Sequence, residues 1–313
     1  MGKSPSINPI FIGGTGRSGT TILGDLLGAH PAIALSKPTE IKFLSNAPGL
    51  INRTFGNRAS VEPEPISIFH PRARYQRMKR LREKRLRSVE EFLSIVDQRW
   101  WKIDAPAPHG PGLIEGLTRE EWDALTSELL NSFPKNPARA SAAFLNKYIR
   151  AQANWNGERY WVETTPFNIR EADRISSLLP QSRFIHMARD PRDVIASLLT
   201  MNWGPSTALE GIAWVEERLT AGHHALSAID PQMVLHLSLE DLISDGPGTI
   251  SSILNFLSLD PSTEMENFYS ARISSSGAKS GRWRQEIADP AFNEAFEAMC
   301  QRLDAQGVRY FRQ

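Results

Sequence analysis

The chain has 313 residues, of which 41% are hydrophobic, and its 36 Lys and Arg nearly balance its 35 Asp and Glu. This balance argues against a general nucleic-acid binder, and the composition excludes a disordered, collagen-like or coiled-coil chain. The single cysteine, Cys300, excludes an internal disulfide framework and a cysteine-cluster metal site. No apolar run reaches about 18 residues, so no transmembrane segment is expected. Because no secretory signal is recognisable, the expected location is the cytoplasm.

Short apolar runs, which are typical of buried strands, alternate with helical patterns along much of the chain. In chain order, we predict strands at 9–13, 159–163, 183–188 and 233–237, and helices at 20–29, 169–179, 191–201, 208–229, 249–257 and from about 291. Strands that alternate with helices indicate a parallel sheet covered by helices on both faces, which is the α/β class.

In the region between the first two predicted strands, we predict loops, a linker and polar helices but no strand. Residues 32–59 are expected to be loop-rich with some helix, and the proline-rich stretch 62–71 reads as a linker. Arg72–Arg87 then carries nine basic residues and one acidic residue, and polar helical segments follow. We predict one domain over 1–313 with a helical lid inserted at roughly 60–156. The basic run is a solvated helix face, or it binds an acidic substrate, a carrier protein or a membrane surface.

A glycine-rich turn, GGTGRSGTT at Gly13–Thr21, joins the first predicted strand to the first helix. Glycines let the backbone adopt positive φ and approach a ligand closely. The start of the helix then offers backbone N–H groups and a partial positive charge to an anion. A phosphate-type ligand is therefore expected here, in preference to a tight turn without a ligand.

The turn fits two known phosphate-binding patterns, and each has a defect. Gly14, Gly16 and Gly19 spell the dinucleotide fingerprint G-x-G-x-x-G, but no acidic residue ends a second predicted strand at the required distance. Gly14 and Gly19 also have the spacing of a nucleoside-triphosphate loop, in which Thr20 replaces the lysine that holds the β- and γ-phosphates. The basic side chain of this loop is Arg17, which suits a group that leaves from a 5′-phosphate.

A second candidate anion site follows the third predicted strand. Arg189 would lie at the carboxyl end of that strand, where ligands bind in open α/β sheets, and Ser197 would lie in the helix that follows. A guanidinium and a hydroxyl at this spacing can hold a second phosphate. Alternatively, Arg189 and Asp193 form a local ion pair at the start of the helix.

Together, these two motifs resemble those of the sulfotransferases that use 3′-phosphoadenosine-5′-phosphosulfate. In that family a G-x-[RK]-[ST]-G-T-[ST] loop binds the 5′-phosphosulfate, and an Arg followed eight residues later by Ser binds the 3′-phosphate. Three further segments, His30-Pro31, Leu239–Leu242 and Lys279–Arg284, match the family in the expected order. The resemblance implies a P-loop NTPase-like fold, in-line transfer of a sulfuryl group to a hydroxyl or an amine, this donor as co-substrate, and no metal.

The resemblance also implies which residues contact the donor. Arg17 would stabilise the charge that develops on the oxygen between phosphorus and sulfur. The implied donor-binding residues are Gly16, Arg17, Ser18, Gly19, Thr20, Thr21, Arg189, Ser197, Lys279, Gly281, Arg282 and Trp283.

The acceptor must lose a proton as it attacks, so a catalytic base is needed. Ser36–Phe43 resembles the P-x-E-[ST]-x-F segment of the tyrosyl-protein, heparan and many bacterial branches, which makes Glu40 the candidate base. The soluble small-molecule branch uses a His instead, and Thr165 occupies that position here.

The sequence departs from its relatives at a second basic position as well. Thr164 stands where many relatives have a lysine, so a second cation near the sulfate comes from Lys42 or Lys37, or is absent. The acceptor is expected to be a small molecule, a saccharide or a carrier-bound group, and no nucleic acid is expected. A P-loop kinase of small molecules and a non-enzymatic nucleotide-binding module are the alternatives.

Overall fold

The computed structural model of the chain describes residues 7–58, 71–103, 111–153, 158–273 and 281–312. It divides into two units. The first contains Met1–Leu35, Asn156–Ser176 and Gln181–Gln313, and the second contains Ser36–Trp155 and Ser177–Pro180.

The strands and helices follow one another in a largely alternating order. They are β1 (Asn8–Gly13), α1 (Thr20–Gly28), β2 (Ile33–Leu35), α2 (Leu50–Phe55), α3 (Pro71–Arg99), α4 (Arg119–Ser132), α5 (Pro137–Gln152), β3 (Tyr160–Glu163), α6 (Ala172–Leu178), β4 (Arg183–Ala188), α7 (Pro191–Leu199), α8 (Ala208–Ser227), β5 (Val234–Ser238), α9 (Leu239–Ser244), α10 (Gly246–Leu257), α11 (Thr263–Phe268), α12 (Trp283–Glu286) and α13 (Phe292–Ala305).

The five strands form one parallel sheet in the order β2-β3-β1-β4-β5, which confirms the predicted α/β class. β1 lies at the centre, with Ile10 paired to Val162 of β3 on one side and to Arg183 of β4 on the other. The chain leaves β1 towards one side of the sheet and later returns to build the other side. Ligands of open α/β sheets bind at the carboxyl ends of the strands where such a reversal occurs. In this sheet the reversal occurs between β1 and β4. Each of these two strands is followed by one of the two predicted anion-binding motifs.

Successive side chains of a strand point to opposite faces of the sheet, and the central strands β1, β3 and β4 are buried along most of their length. One face packs on α1 and α10 through apolar side chains that include Ile10, Ile12, Val162, Ile185, Met187, Leu23, Leu26, Leu27, Ile253 and Leu257. A second cluster joins α7, α8 and α13, and Cys300 is buried within it. Burial of both faces explains why the strands are continuous apolar runs in the sequence.

The second unit is built from helices α2 to α5. Phe43 is fully buried and lies at the centre of an aromatic cluster with the rings of Phe92, Trp122, Phe144 and Tyr148 at centroid distances of 5.1–6.2 Å. The start of α4 is closed by a capping box between Thr118 and Glu121. These helices account for the helical pattern predicted after residue 71, whereas residues 59–70, with most of the predicted linker, lie outside the described residues.

The structure contains short helices that we did not predict, such as α9 and α11, and it differs from the prediction in two further segments. Strand β2 falls within residues 32–59, which we expected to be loop-rich, and it has only three residues. The predicted helix at 169–179 is instead a 3-10 helix over Pro166–Glu171 followed by α6. Both segments are too short to establish a periodic apolar pattern of their own. Among the described helices, none combines the length and apolar character needed to cross a lipid bilayer.

His186 on β4 and His236 on β5 are paired neighbours in the sheet, and their Nδ1 atoms lie 3.2 Å apart. Burial, together with the neighbouring His236, lowers the pKa of His186 from 6.5 to about 3. The pKa of His236 is also lowered, mainly by burial. Both rings are therefore expected to be neutral in the folded protein at neutral pH.

We predict that this histidine pair makes the protein less stable as the pH falls. Between pH 6.5 and about 3 the unfolded chain protonates residue 186 and the folded chain does not, so acid favours unfolding. One such proton changes the free energy of unfolding by about 1.4 kcal/mol per pH unit. Denaturant unfolding of the wild type and of His186→Phe from neutral pH down to about pH 5, above the ordinary carboxyl range, should give a shallower slope for the variant. Equal slopes would contradict the interpretation.

Candidate functional site

The glycine-rich turn lies between β1 and α1 and is held against the sheet. The backbone N–H of Gly14 donates to the carbonyl oxygen of Pro166 at 3.0 Å. A Cβ at Gly14 would lie 2.4 Å from the carbonyl oxygen of Met187, so only glycine fits there. Arg17 is in the left-handed region with φ 58°, which is unusual for a residue that has a side chain. The turn is thus a tightly curved loop that directs its exposed Arg17 side chain away from the core.

The end of this turn forms an N-terminus suited to an anion. Gly19, with φ 93°, is the N-cap of α1, and it has no side chain that could accept from the first-turn N–H groups, such as those of Thr20 and Thr21. The first turn of α1 contains no acidic residue. The hydroxyl of Ser18 is buried and has no hydrogen-bond partner among the described residues. A bound anion would satisfy these donors, which include an otherwise orphaned hydroxyl.

The second motif occupies the corresponding position on the neighbouring strand. Arg189 follows β4 directly and is half-buried. Asp190 is the N-cap of α7, and its Oδ1 accepts from the N–H of Arg192 at 2.9 Å. Ser197 lies in the second turn of α7 and is buried. The motif therefore places a guanidinium and a hydroxyl beside the carboxyl end of β1.

Two hydrogen bonds join the two motifs, although they are far apart in the sequence. The Nε of Arg17 donates to the Oγ of Ser197 at 3.0 Å. The Nη1 of Arg189 donates to the backbone oxygen of Arg17, also at 3.0 Å. The predicted anion-binding residues of both motifs thus form one site.

The late loop is attached to the same helix by an aspartate. Both oxygens of the buried Asp193 side chain accept backbone N–H groups of this loop, Oδ2 from Gly281 at 2.7 Å and Oδ1 from Trp283 at 3.1 Å. Asp193 therefore anchors the late loop, a role different from the pairing with Arg189 that the sequence suggested as an alternative. In the sequence, the only signal for this anchoring role was the second Asp of R-D-P-R-D.

The remaining predicted residues of the late loop differ in their placement. Arg282 is exposed and donates through Nε and Nη2 to the Oε1 of Glu286 at 2.8 and 2.6 Å. The guanidinium of Arg192 lies 4.5 Å above the ring of Trp283. Lys279, which we predicted to bind the donor, lies outside the described residues.

Guanidinium groups gather around Arg189. Burial lowers the pKa of Arg189, and the nearby guanidiniums of Arg282 and Arg17 lower it further, whereas Asp193 and Glu240 act in the opposite direction. The guanidiniums of Arg17 and Arg282 are thus each close enough to repel that of Arg189. An anion bound among them would relieve this repulsion and the cost of burying charge.

Glu240, at the start of α9, is a second residue whose role the sequence did not reveal. Its Oε1 accepts from the backbone N–H of Asp190 at 2.9 Å, while its Oε2 is buried without a hydrogen-bond partner among the described residues. Burial raises the pKa of this carboxyl. Glu240 thus fixes the turn that carries Arg189 and offers one unused acceptor next to the cations.

Comparison with known families identifies the chain. The sequence profile described as the sulfotransferase family matches residues 9–264, which is most of the chain. The protein belongs to the sulfotransferase family. A comparison with curated proteins gives no match.

Solved sulfotransferase structures match the chain at low sequence identity. Sulfotransferase STF9 from Mycobacterium avium is 15% identical with a TM-score of 0.53, and the match covers 99% of this chain and 79% of that one. The sulfotransferase domain of the olefin synthase from Synechococcus PCC 7002 is 16% identical with a TM-score of 0.48 and covers 99% and 98% of the two chains. The likeness to STF9 supports the predicted P-loop NTPase-like sheet with flanking helices.

Two threonines stand at positions where members of the sulfotransferase family often have other residues. Thr165 donates through its N–H, at 3.0 Å, and through its hydroxyl to the fully buried carboxylate of Glu163, which also accepts from Asn168. Thr164 is buried, and a Cβ at Gly24 of α1 would lie 2.3 Å from its Cγ2. In this protein both threonines therefore have packing and hydrogen-bonding roles between β3 and its surroundings.

The candidate base and the candidate lysines all lie in the second unit, in the segment before α2. Glu40 is half-buried, and the backbone N–H of Lys37 donates to the Oε1 of Gln152 on α5 at 3.2 Å. Lys42 is in the left-handed region with φ 56°. The described residues contain no group of three or more His, Cys, Asp or Glu arranged to hold a metal ion.

We predict that Asp193→Asn loosens the late loop. An amide can accept through only one atom, so at least one of the two backbone N–H groups is left without its partner. Such a loss costs about 1–3 kcal/mol. Amide hydrogen exchange should therefore accelerate for residues 281–287 in the variant. Glu294→Gln, an exposed change on α13, is the control and should leave the exchange of this loop unchanged. Protection that is equal in all three proteins would show that Asp193 does not hold the loop.

Proposed function

We propose that the protein transfers a sulfuryl group from 3′-phosphoadenosine-5′-phosphosulfate to an acceptor hydroxyl or amine by in-line displacement. Membership of the sulfotransferase family supports group transfer in general. The choice of donor rests mainly on the geometry of the anion site, described next. The donor supplies the sulfuryl group and leaves as adenosine 3′,5′-bisphosphate.

The proposal rests on the two hydrogen bonds that join Arg17 to Ser197 and to Arg189. The donor carries phosphate groups on two sides of one ribose, so its site needs two anion-binding elements side by side. The glycine-rich loop and the start of α7 follow adjacent strands, which lie about 4.8 Å apart in a sheet. Two hydrogen bonds of 3.0 Å connect them. A site for a single phosphate would not need the second element.

The residues of the loop suit the phosphosulfate end of the donor. The N–H groups of Gly19, Thr20 and Thr21 at the start of α1 bind the 5′-phosphate, with the hydroxyl of Ser18 as a further donor. The guanidinium of Arg17 stabilises the negative charge that grows on the leaving oxygen as the sulfur–oxygen bond breaks. Stabilisation of charge that develops only in the transition state lowers the barrier directly.

The residues of the second element suit the 3′-phosphate. Arg189 offers a charged fork of donors and Ser197 a hydroxyl, which together match the geometry of a phosphate. Asp193 keeps Gly281 and Trp283 beside α7 through their backbone N–H groups. The resemblance to the family supports donor contacts from Lys279, Gly281, Arg282 and Trp283 of the late loop.

Glu40 is the proposed base that removes the acceptor proton. This assignment rests on the resemblance of its segment to the glutamate-containing segment of related branches, and Lys42 or Lys37 supplies a second cation. We further propose one sulfotransferase domain over 1–313, in which the helical segment at roughly 60–156 helps to select the acceptor. A small molecule, a saccharide or a carrier-bound group is the proposed acceptor class.

We predict that Arg17→Ala and Arg189→Ala each weaken the binding of adenosine 3′,5′-bisphosphate. Loss of one charge-assisted hydrogen bond to a phosphate costs about 1.5–3 kcal/mol, which corresponds to roughly 10- to 150-fold in Kd. Isothermal titration calorimetry measures this change directly. Arg312→Ala, an exposed arginine close to the C-terminus, is the matched control and should bind as the wild type does.

Two results would contradict the proposed donor. One is the absence of bisphosphate binding by the wild type at millimolar ligand. The other is thermal stabilisation by magnesium and ATP that exceeds stabilisation by the bisphosphate, because that result would favour a P-loop kinase.

We predict that Glu40→Gln strongly slows transfer without changing bisphosphate affinity. Removal of a general base lowers turnover by about 10²- to 10⁴-fold, whereas donor binding does not involve it. Transfer from radiolabelled donor to a panel of small-molecule and saccharide acceptors gives the rate, and calorimetry gives the affinity. Glu115→Gln, an exposed change in the same unit, is the control. Unchanged turnover in Glu40→Gln would place the base elsewhere, and bisphosphate binding without any turnover would indicate a non-enzymatic module.

A further inference from the structure

The first part of α3 concentrates most of the positive charge of the chain. Residues 74–87, here called the basic arm, contain eight Lys and Arg and one Glu, which gives a formal charge of +7. The whole chain carries only +1, so the rest of the sequence is net acidic. Charge that is so strongly segregated creates a local potential able to attract an anionic surface.

The side chains of the basic arm do not contribute to the buried core of the second unit. None of the side chains at 74–87 is buried, and the first buried side chain of α3 is Val89, followed by Phe92 and Val96. Since Pro71–Arg99 is one continuous helix, the buried half anchors the exposed half. The arm is thus a helix that is anchored at one end, and most of its described side chains are exposed to solvent, whereas Arg77, Leu81 and Arg85 are half-buried.

Large apolar side chains are exposed on the arm next to the charges. Tyr75, Met78 and Leu86 are 68%, 44% and 37% exposed. At about 100° per residue, these three positions fall within an arc of about 80° on the helix surface. They lie on one side of the helix, where Arg82 shares the same arc between Met78 and Leu86. Isolated exposed apolar residues are ordinary, but a group of them on one side of a polybasic helix is a binding feature.

The positive surface continues onto the neighbouring turn between α4 and α5. The Nη1 of Arg85 contacts the carbonyl oxygen of Pro134 at 3.5 Å. Lys135 on that turn and Arg139 in the first turn of α5 are both exposed, and they line a cavity of 330 Å³ whose other walls include Leu129 and Glu128. The arm therefore belongs to a broader basic face of the second unit that also contains an apolar recess.

We propose that the basic arm binds the surface of a membrane that contains anionic lipid. The three apolar side chains insert at the level of the headgroups, and the Lys and Arg side chains pair with lipid phosphates around them. Tyrosine favours this interface because its ring is apolar and its hydroxyl is polar. An acidic protein would satisfy the charges equally well, but it gives no reason for three exposed large apolar side chains grouped on one side of the helix among the cations. The combination of both features therefore favours lipid.

Vesicle sedimentation with the full chain tests this proposal. The wild type should partition at least about tenfold more strongly onto vesicles of phosphatidylcholine mixed with phosphatidylglycerol than onto phosphatidylcholine alone, and the binding should fall as salt is raised. Failure to bind the anionic vesicles at low salt would overturn the proposal.

A charge variant tests whether the arm carries the binding. Arg80→Gln, Arg82→Gln, Lys84→Gln and Arg87→Gln combined should lower partitioning by about 100-fold. Arg85 is left unchanged because of its contact with Pro134. Since all four changed side chains are exposed, the midpoint of thermal unfolding should stay within a few degrees of the wild type, and this measurement checks that the variant is folded.

A matched variant removes the same number of charges elsewhere. Lys147→Gln, Arg150→Gln, Arg302→Gln and Arg312→Gln combined change exposed cations of α5, α13 and the end of the chain. This control should partition as the wild type does. If both variants lose binding equally, net charge alone explains the effect and the proposed site is wrong.

An apolar variant distinguishes lipid from an acidic protein. Tyr75→Ser combined with Met78→Ser should reduce partitioning onto anionic vesicles by about tenfold. It should leave binding to poly-glutamate, a purely electrostatic partner, within about twofold of the wild type. Vesicle binding that is insensitive to this variant, together with poly-glutamate binding tighter than vesicle binding, would assign the arm to an acidic protein and overturn the lipid proposal.

Discussion

The hydrogen bonds between the glycine-rich loop and the start of α7 organise everything else in the site. Arg17 donates from its side chain to Ser197 and accepts at its backbone oxygen from Arg189. These contacts are possible because β1 and β4 are neighbours in a parallel sheet, so that the loops after them emerge at the same edge. Two segments that begin 172 positions apart thereby form one surface for an anion.

Without a bound anion, several features of the site raise the free energy of the folded protein. Arg17 adopts a left-handed backbone conformation, the guanidiniums of Arg17 and Arg282 each repel that of Arg189, and the hydroxyl of Ser18 is buried without a partner among the described residues. Such strain and unsatisfied polarity concentrate at functional sites, where a ligand compensates for them. A doubly phosphorylated nucleotide would relieve the repulsion and pair the hydroxyl of Ser18, which is why the geometry and the family membership support the same proposal.

Local patterns in the sequence were sufficient for the strands and for the two motifs, because each depends on neighbouring residues. The apolar runs around Ile10, Val162 and Ile185 predict buried strands, and the glycines at 14, 16 and 19 predict a tight turn. Strand β2 was missed because three residues establish no pattern. The bonds of Asp193 to a loop 88 and 90 positions away, and the contact of Glu240 with Asp190, depend on tertiary structure that no local pattern encodes. The role of Glu40 rests on resemblance, and Lys279 lies outside the described residues.

A crystal structure of the protein with adenosine 3′,5′-bisphosphate tests the central claim most directly. The account predicts that the 5′-phosphate accepts from the N–H groups of Gly19 to Thr21, and that the 3′-phosphate of the same molecule lies within hydrogen-bond distance of Arg189 and Ser197. A bisphosphate bound with its 3′-phosphate in solvent, or bound away from the edge between β1 and β4, would contradict it.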